Sequence, residues 1–248
     1  MIRVRTVLLA GLLCCFPVVA KAGDAFLAAG TGIAIGDTVP QLRFTDIRGL
    51  QRELVDFGQY RSLVLTFNST TCPLARRTLP QLTELYRKYR DQGVVFAAVN
   101  IGATDTIRRM AAQALELNVP FYFVRDADLS VARTLGITRT PQVCVIDGTG
   151  VLRYRGRIDD QQRPGGTRPV ASRNDLELAL QQVLQGQSVE VSETAVDGCL
   201  LSPPPAPGPS ATWAEGIGEL VHRKCAGCHR PNSAAPFSLL SYDDAVAH

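Results

Sequence analysis

Cys72 is the first residue of this 248-residue chain whose surroundings point to chemistry. It follows the apolar, β-branched run Leu63-Val64-Leu65-Thr66-Phe67 and a polar turn, Asn68 to Thr71. After it come Pro73 and an amphipathic pattern with Leu74, Leu79, Leu82, Leu85, Tyr86 and Tyr89. The run reads as a buried central strand, and the pattern as a long helix whose first turn accepts Pro73 because the missing N–H costs nothing there. A cysteine at that junction meets unpaired backbone N–H groups and the positive end of the helix dipole, which favour thiolate over thiol. Arg76 and Arg77 add positive charge one turn on. The expected chemistry is that of a thiol nucleophile, and the alternative is a small buried hydrophobe.

Cys225-Ala226-Gly227-Cys228-His229 is the second such group. Its spacing is that of covalent c-type haem attachment, in which the thiols bond to the porphyrin and the histidine is an axial iron ligand. A helix is predicted just before it, Trp213 to Arg223, with Ile217, Leu220 and Val221 on one face. A zinc site would need a second cysteine pair, which the chain beyond the motif lacks. The expected cofactor is therefore haem c, held by Cys225 and Cys228, with His229 as the metal ligand. No distal ligand is legible: Met110 falls in a helix of another segment, His222 is too close in sequence, and His248 is terminal. Residues 231–248 end at what reads as the start of another helix, so the haem segment is expected to be truncated.

Residues 1–22 read as a cleavable export signal. Arg3 and Arg5 precede an apolar stretch from Val7 to Ala20, and Ala20-Lys21-Ala22 is a small-x-small cleavage site. The stretch is too short for a membrane span, and Leu13 before Cys14 does not fit a lipoprotein signal. A periplasmic or otherwise exported protein is expected, with redox partner proteins there and no stable membrane span after cleavage. Of the seven cysteines, Cys14 and Cys15 leave with the signal, so five remain. Cys144 is expected to face the core of a strand, with a redox role as the alternative. Cys199, in Asp197-Gly198-Cys199-Leu200, follows the last helix and can fold back onto Cys72 or remain a partly buried or unpaired thiol. A net charge of +3 without a basic block gives no footprint for nucleic acid.

The elements that must position these residues follow from periodicity and turn residues. Pro40 to Ile47 reads as a strand, Arg48-Gly49 as a turn and Gln51 to Val55 as its return. Gly93 ends the Cys72 helix, and Val94 to Val99 is a second buried strand. A helix runs from Thr104 to about Leu117, Phe121 to Val124 is a strand, and Asp128 caps a brief helix ending near Gly136. Thr140-Pro141 leads the strand Gln142 to Ile146, a turn at residues 147–150 and the strand Val151 to Tyr154. A last helix spans about residues 173–184. Strands alternating with crossover helices predict an α/β fold, a mixed central sheet in a three-layer arrangement. The expected organisation is a domain at 33–187, a proline-rich linker at 188–211 containing Ser202 to Pro209, and a small α-helical haem segment at 212–248.

A strand, a cysteine at the next helix N-terminus, and a Thr140-Pro141 step before a strand-turn-strand hairpin resemble the thioredoxin fold. The resemblance covers about residues 33–187. It implies a cis Pro141 beside Cys72, shaping where a partner's backbone docks. Thioredoxins carry a second cysteine where this chain has Ala75, so the usual local disulfide is ruled out. Peroxiredoxins match at Ser69, three residues before Cys72, but differ at Leu65 and at Pro141, and Arg139 is out of register with their arginine. The chain is thus closer to a monothiol thioredoxin-like protein, with Cys72 as nucleophile, Pro141 as docking element and Cys199 as resolving thiol. The expected function is thiol–disulfide exchange coupled to haem c electron transfer. A thiol peroxidase and a non-catalytic scaffold are the alternatives. Tyr154 to Asp160 (YRGRIDD) resembles a segment of exported redoxin-like proteins that share the downstream Gly-Cys; physically it reads as a solvated hairpin edge with local ion pairs. HRPNSAAPFSLLSYDDA resembles the haem-motif region of exported multidomain proteins in which a copper-dependent monooxygenase region can follow, but no histidine and methionine copper ligands are present here.

Overall fold

The computed structural model describes residues 32–163, 166–202, 212–233 and 235–248. The chain divides into two compact units, one running to Pro204 and one starting at Pro205. The expected signal at 1–22 and most of the SPPPAPGP stretch lie outside the described residues.

β3 (Ser62–Asn68) is buried at every position, as a continuous apolar run between two covering layers must be. It pairs in parallel with β4 (Val94–Asn100), which pairs in parallel with β5 (Tyr122–Arg125). β1 (Arg43–Asp46) and β2 (Gln51–Glu53) add antiparallel strands beyond β5. β7 (Gln142–Asp147) and β8 (Leu152–Gly156) add the antiparallel hairpin on the other side of β3. The resulting seven-stranded sheet has the order β2-β1-β5-β4-β3-β7-β8. Side-chain alternation along β3 divides the core. Leu63, Leu65 and Phe67 join Phe44, Val99, Ile146 and Leu152 on one face, while Val64 joins residues of the helices on the other.

α1 (Pro73–Tyr89) packs Leu79 and Leu82 into that second layer. α2 (Ile107–Glu116) contributes Met110, and α4 (Asp175–Leu184) contributes Leu176, Ala179 and Leu180. α3 (Ser130–Thr134) is the brief helix before the hairpin. The α/β thioredoxin-like arrangement expected from the sequence is present. Two boundaries move inward for local reasons: α2 starts after Thr106, whose hydroxyl accepts the Arg109 N–H, and Leu54–Phe57 coils into a short tight helix instead of extending β2.

The first unit does not end with α4. Residues 192–194 run alongside β8: the Arg155 N–H donates to the Ser192 carbonyl at 3.0 Å, and the Thr194 N–H donates to the Arg155 carbonyl at 3.2 Å. Of the expected linker, the described residues 188–202 belong to this unit. The YRGRIDD segment is correspondingly not a solvated edge. Tyr154 is fully buried and its hydroxyl donates to the Arg157 carbonyl at 2.6 Å. Arg155 pairs with Glu193, Arg157 with the buried Asp175 at 2.6 Å, and Asp160 accepts the Ser172 and Arg173 N–H groups at 2.7 and 3.0 Å. The alternation of charges hid a set of anchors for the segments that follow.

In the second unit α5 (Gly218–Lys224) follows a wider helical turn at Trp213–Ile217 and leads into Cys225. α6 (Tyr242–Ala247) begins with a reciprocal cap between Ser241 and Asp244, and Tyr242 packs edge-on against Trp213 with ring centroids 5.7 Å apart. Among the described residues no helix is long and apolar enough to cross a membrane.

The pairing of residues 192–194 with β8 leaves no room at Gly156, where a Cβ would lie 2.1 Å from Thr194 Oγ1 and 2.7 Å from Tyr154 Oη. Gly156→Ala is expected to destabilise the first unit by about 1–3 kcal/mol, read as a lower urea midpoint at unchanged slope. An unchanged midpoint would mean that this close approach is absent in solution.

Candidate thiol site

Cys72 is the N-cap residue of α1, with extended backbone angles (φ −83°, ψ 113°), and it is almost entirely buried. Its N–H donates to the Ser69 carbonyl at 3.2 Å, and its carbonyl accepts the first bond of the helix, from Arg76 N, at 3.1 Å. Pro73 occupies the first helical position, as read from the sequence. The Thr140–Pro141 peptide bond is cis, and Cys72 Sγ lies 3.4 Å from the Thr140 carbonyl oxygen. Cys199 Sγ lies 2.7 Å from Cys72 Sγ. The nucleophile, the proline and the distant cysteine singled out in the sequence thus meet at one place.

Cys199 is delivered by backbone pairing. β9 (Cys199–Leu200) forms a two-residue antiparallel ladder with β6 (Arg139–Thr140), with Cys199 opposite Thr140 and Leu200 opposite Arg139. The Arg139 guanidinium donates to the Gly198 carbonyl at 2.8 Å. Arg139 therefore binds the segment that carries Cys199.

Burial opposes charge on both sulfurs, but their surroundings separate them. Around Cys72 this opposition is outweighed by hydrogen bonds from the Cys199 thiol, the Thr140 side chain and the backbone N–H groups of Ala75 and Leu74. The net effect holds the Cys72 thiol below its ordinary value. The nearby Thr140 carbonyl favours the protonated form, and the donors prevail over it. Burial first, and then the adjacent Cys72, push Cys199 up to about 11. One thiolate, on Cys72, is the arrangement that these groups favour. Arg76, expected to support it, is turned to Glu116 instead. Cys144 is fully buried on β7, opposite Leu65, and burial pushes its thiol up to about 12, which suits an inert core residue.

The turn before Cys72 is fixed by a residue the sequence did not single out. Asp105 is 1% exposed. Its carboxylate accepts from Thr70 N at 2.7 Å, Asn100 Nδ2 at 2.8 Å and Ser69 Oγ at 3.0 Å, as well as from the Thr70 hydroxyl. Burial works against its ionisation, and these donors hold it below the usual carboxylate range. Gly102 is obligatory there, since a Cβ would lie 2.0 Å from Asp105 Oδ2. The only sequence signal was an Asp next to the Thr of a helix start, which reads as ordinary capping chemistry. Ser69 is thereby committed to Asp105 and Thr71, at 3.0 and 2.9 Å.

In the second unit Cys225 to His229 form a turn continuing α5, with the Cys228 and His229 N–H groups donating to the Cys225 carbonyl at 3.1 and 2.9 Å. His229 Nδ1 lies 3.3 Å from the Phe237 carbonyl oxygen, and the two rings pack with centroids 4.6 Å apart. If Nδ1 carries the proton, Nε2 keeps a free lone pair. Among the described residues no three His, Cys, Asp or Glu side chains converge on a point that would hold a metal ion.

Comparison with known proteins places this geometry. The chain matches the Redoxin family over residues 34–173. It is 30% identical over 128 residues to the thiol-disulfide oxidoreductase ResA of Geobacillus thermodenitrificans, a match covering 52% of this chain and 72% of that protein. The same figures hold for the ResA of Geobacillus kaustophilus. Among solved structures, an uncharacterized conserved protein from Geobacillus kaustophilus superposes with a TM-score of 0.63 at 27% identity, covering 70% of this chain and 94% of that one. A hypothetical protein from Sinorhizobium meliloti superposes with a TM-score of 0.61 at 26% identity, covering 68% and 94%. With a buried helix-capping cysteine, a cis proline against it and a match across more than half of its length, this chain belongs to the Redoxin family.

Proposed function

We propose that the first unit carries out thiol–disulfide exchange, with Cys72 as the nucleophile and Cys199 as the resolving thiol. The observation that carries this reading is the contact between the two sulfurs, 2.7 Å apart beside the cis Thr140–Pro141 bond. The name shared by the two ResA relatives, thiol-disulfide oxidoreductase, supports it.

The chemistry follows from the separation of the two thiols. The Cys72 thiolate attacks one sulfur of a partner's disulfide, and the other partner sulfur leaves as a thiolate and is protonated by solvent. Cys72 is then uncharged, so the neighbouring charge that raises Cys199 is gone. Cys199 loses its proton more easily and attacks Cys72 Sγ. The partner's remaining thiolate leaves, and a Cys72–Cys199 disulfide forms. The partner gains two electrons and this chain gives up two. The same steps reversed oxidise a partner dithiol. Pro141, by its cis bond, sets the Thr140 carbonyl against Cys72 and shapes the docking edge.

A peroxidase reading is less well supported, because the Ser69 hydroxyl is engaged by Asp105 and Thr71. A passive scaffold would have no need of a thiol held below its ordinary value against a second cysteine.

For the second unit the proposal is haem c, bonded through Cys225 and Cys228 with His229 as an axial ligand, and coupled to the thiol chemistry of the first. His229 fits, because a proton shared with the Phe237 carbonyl orients the ring and leaves Nε2 for iron. Haem bound there would supply one-electron transfer. Covalent haem attachment and a thiol pair both suit an exported protein, and residues 1–22 supply the signal for that route.

A non-reducing peptide map of the chain, made with the haem-attachment machinery and alkylated before digestion, is expected to link Cys72 to Cys199 and to show haem on the Cys225–Cys228 peptide. A freely alkylated Cys72 in the oxidised protein would sink the exchange reading, and a haem-free peptide would sink the haem reading. In the reduced chain, residue-specific alkylation should give Cys72 a midpoint below that of an ordinary thiol. Cys199→Ala should raise that midpoint, because it removes the strongest of the hydrogen bonds that lower it. Cys72→Ala should lower the Cys199 midpoint from about 11. Midpoints that do not move would show the two thiols to be independent.

A further inference from the structure

Cys199 reaches Cys72 on a strand, and the strand's contacts are those of a recognised peptide. The β6–β9 ladder places Cys199 opposite Thr140 and Leu200 opposite Arg139. The Leu201 N–H extends the pairing by donating to the Thr138 carbonyl at 2.9 Å, and the Leu201 side chain is buried in the core. Arg139 holds the Gly198 carbonyl at 2.8 Å. Gly198 lies so close to the edge that a Cβ there would stand 2.3 Å from the Thr140 carbonyl oxygen. This edge therefore reads an extended backbone, a residue with no side chain, a cysteine, and an apolar residue two positions after it.

We propose that Gly198-Cys199-Leu200-Leu201 is a built-in stand-in for the partner, and that the substrate class is an extended polypeptide segment presenting a cysteine directly after a glycine. The inference rests on the exchange reading given above and adds the partner and its mode of docking. The partner's strand takes the Arg139–Thr140 edge when residues 194–201 lift from it, giving up the bonds of Thr194 to Tyr154 and to the Arg157 N–H, with Ser192 and Glu193 still held by Arg155. In the dithiol state nothing covalent holds the strap, and its hydrogen bonds exchange for equivalent ones to the partner. The Cys72 thiolate attacks the partner's cysteine sulfur, the partner's disulfide breaks, and its second sulfur leaves as a thiolate protonated by water. The strap then returns with Cys199, which expels the partner's cysteine as a thiolate and closes the Cys72–Cys199 bond. The closed strap covers the edge, so the oxidised chain is sealed against a further partner until a dithiol reductant opens it.

The test uses the full chain carrying Cys199→Ser. The probe is acetyl-Gly-Cys-Leu-Leu-amide with its cysteine in a disulfide with 5-thio-2-nitrobenzoate, and addition to Cys72 is followed by the mass of the Cys72 peptide. The same peptide with alanine in place of glycine should add at least about tenfold more slowly, because a Cβ under 3 Å from a carbonyl oxygen lifts the strand off the edge. Thr194→Ala, which removes a strap anchor, should speed the glycine peptide by about fivefold, the rate equivalent of one net hydrogen bond. It should also speed the symmetrical aromatic disulfide, because the strap covers the Cys72 sulfur as well as the edge. Equal rates for the two peptides would overturn the inference, as would a glycine-peptide rate that Thr194→Ala leaves unchanged. The exchange reading would survive both results. If Cys72 fails to react even with the aromatic disulfide, the exchange reading falls and this inference with it. The peptide comparison needs only Cys199→Ser, so it decides the question even if Thr194→Ala fails to fold.

Discussion

The pairing of residues 192–201 with two strand edges in succession is the constraint on which the thiol site depends. β8 is the outer strand of the sheet, and an outer strand leaves a row of unpaired N–H and carbonyl groups. Arg155 satisfies its own backbone groups with Ser192 and Thr194, and its guanidinium adds Glu193 and the carbonyls of Ile33 and Leu135. That fixes the direction of the chain after α4. A few residues later the same chain meets β6 and pairs with it. Cys199 faces Cys72 as a consequence. Without the β8 contact the sequence between α4 and Cys199 would have no preferred path, and two cysteines 127 residues apart would meet only by chance.

The two sulfurs are held apart chemically by the same surroundings that bring them together. Both are desolvated, which alone would raise both thiols. The helix N-terminus belongs to Cys72 only, and a thiol can donate to a thiolate in one direction at a time. The first proton lost therefore comes from Cys72, and Cys199 keeps its own while that charge stands. Holding Cys72 at the helix end requires a rigid turn before it, and the buried Asp105 supplies that rigidity. A carboxylate with one backbone N–H and three side-chain donors around it is tolerated in the interior because its charge is fully hydrogen-bonded. Asn100 and Asp105 lie at the C-terminal end of β4 and just after it, so the sheet itself sets the position of the turn.

Local patterns carried much of this into the sequence. The run at Leu63 to Phe67 and the apolar positions of α1 have the periods of a buried strand and an amphipathic helix, and Pro73 marks the helix start; these place Cys72 without any tertiary information. Thr140-Pro141 was legible through its resemblance to a known motif. What could not be read were the long-range partners. Arg76, one turn into α1, looks like support for a thiolate until Glu116 takes it. Arg155 and Arg157 look like surface charges because their partners, Glu193 and Asp175, come from separate later segments. Asp105 beside Thr106 looks like capping chemistry, yet Thr106 alone caps α2 while Asp105 turns inward. In each case the residue type was informative and its direction was decided by packing.

The length of the strap's ladder explains why a sulfur–sulfur bond matters to it. Two residues of antiparallel pairing are too few to be stable alone. Leu201 in the core and Arg139 on the Gly198 carbonyl add to the ladder, but each is a single interaction that solvent or another peptide can replace. A covalent bond between Cys72 and Cys199 acts differently. It restricts the unfolded chain across a loop of 127 residues, an effect on the order of 4–5 kcal/mol in the chain-entropy account. The core of the first unit, built from β3, β4, β7 and the helices, contains none of the four residues of the ladder and needs no such bond to fold. The redox state of the pair therefore bears on the strap and on the edge beneath it, and leaves the sheet that positions Cys72 in place.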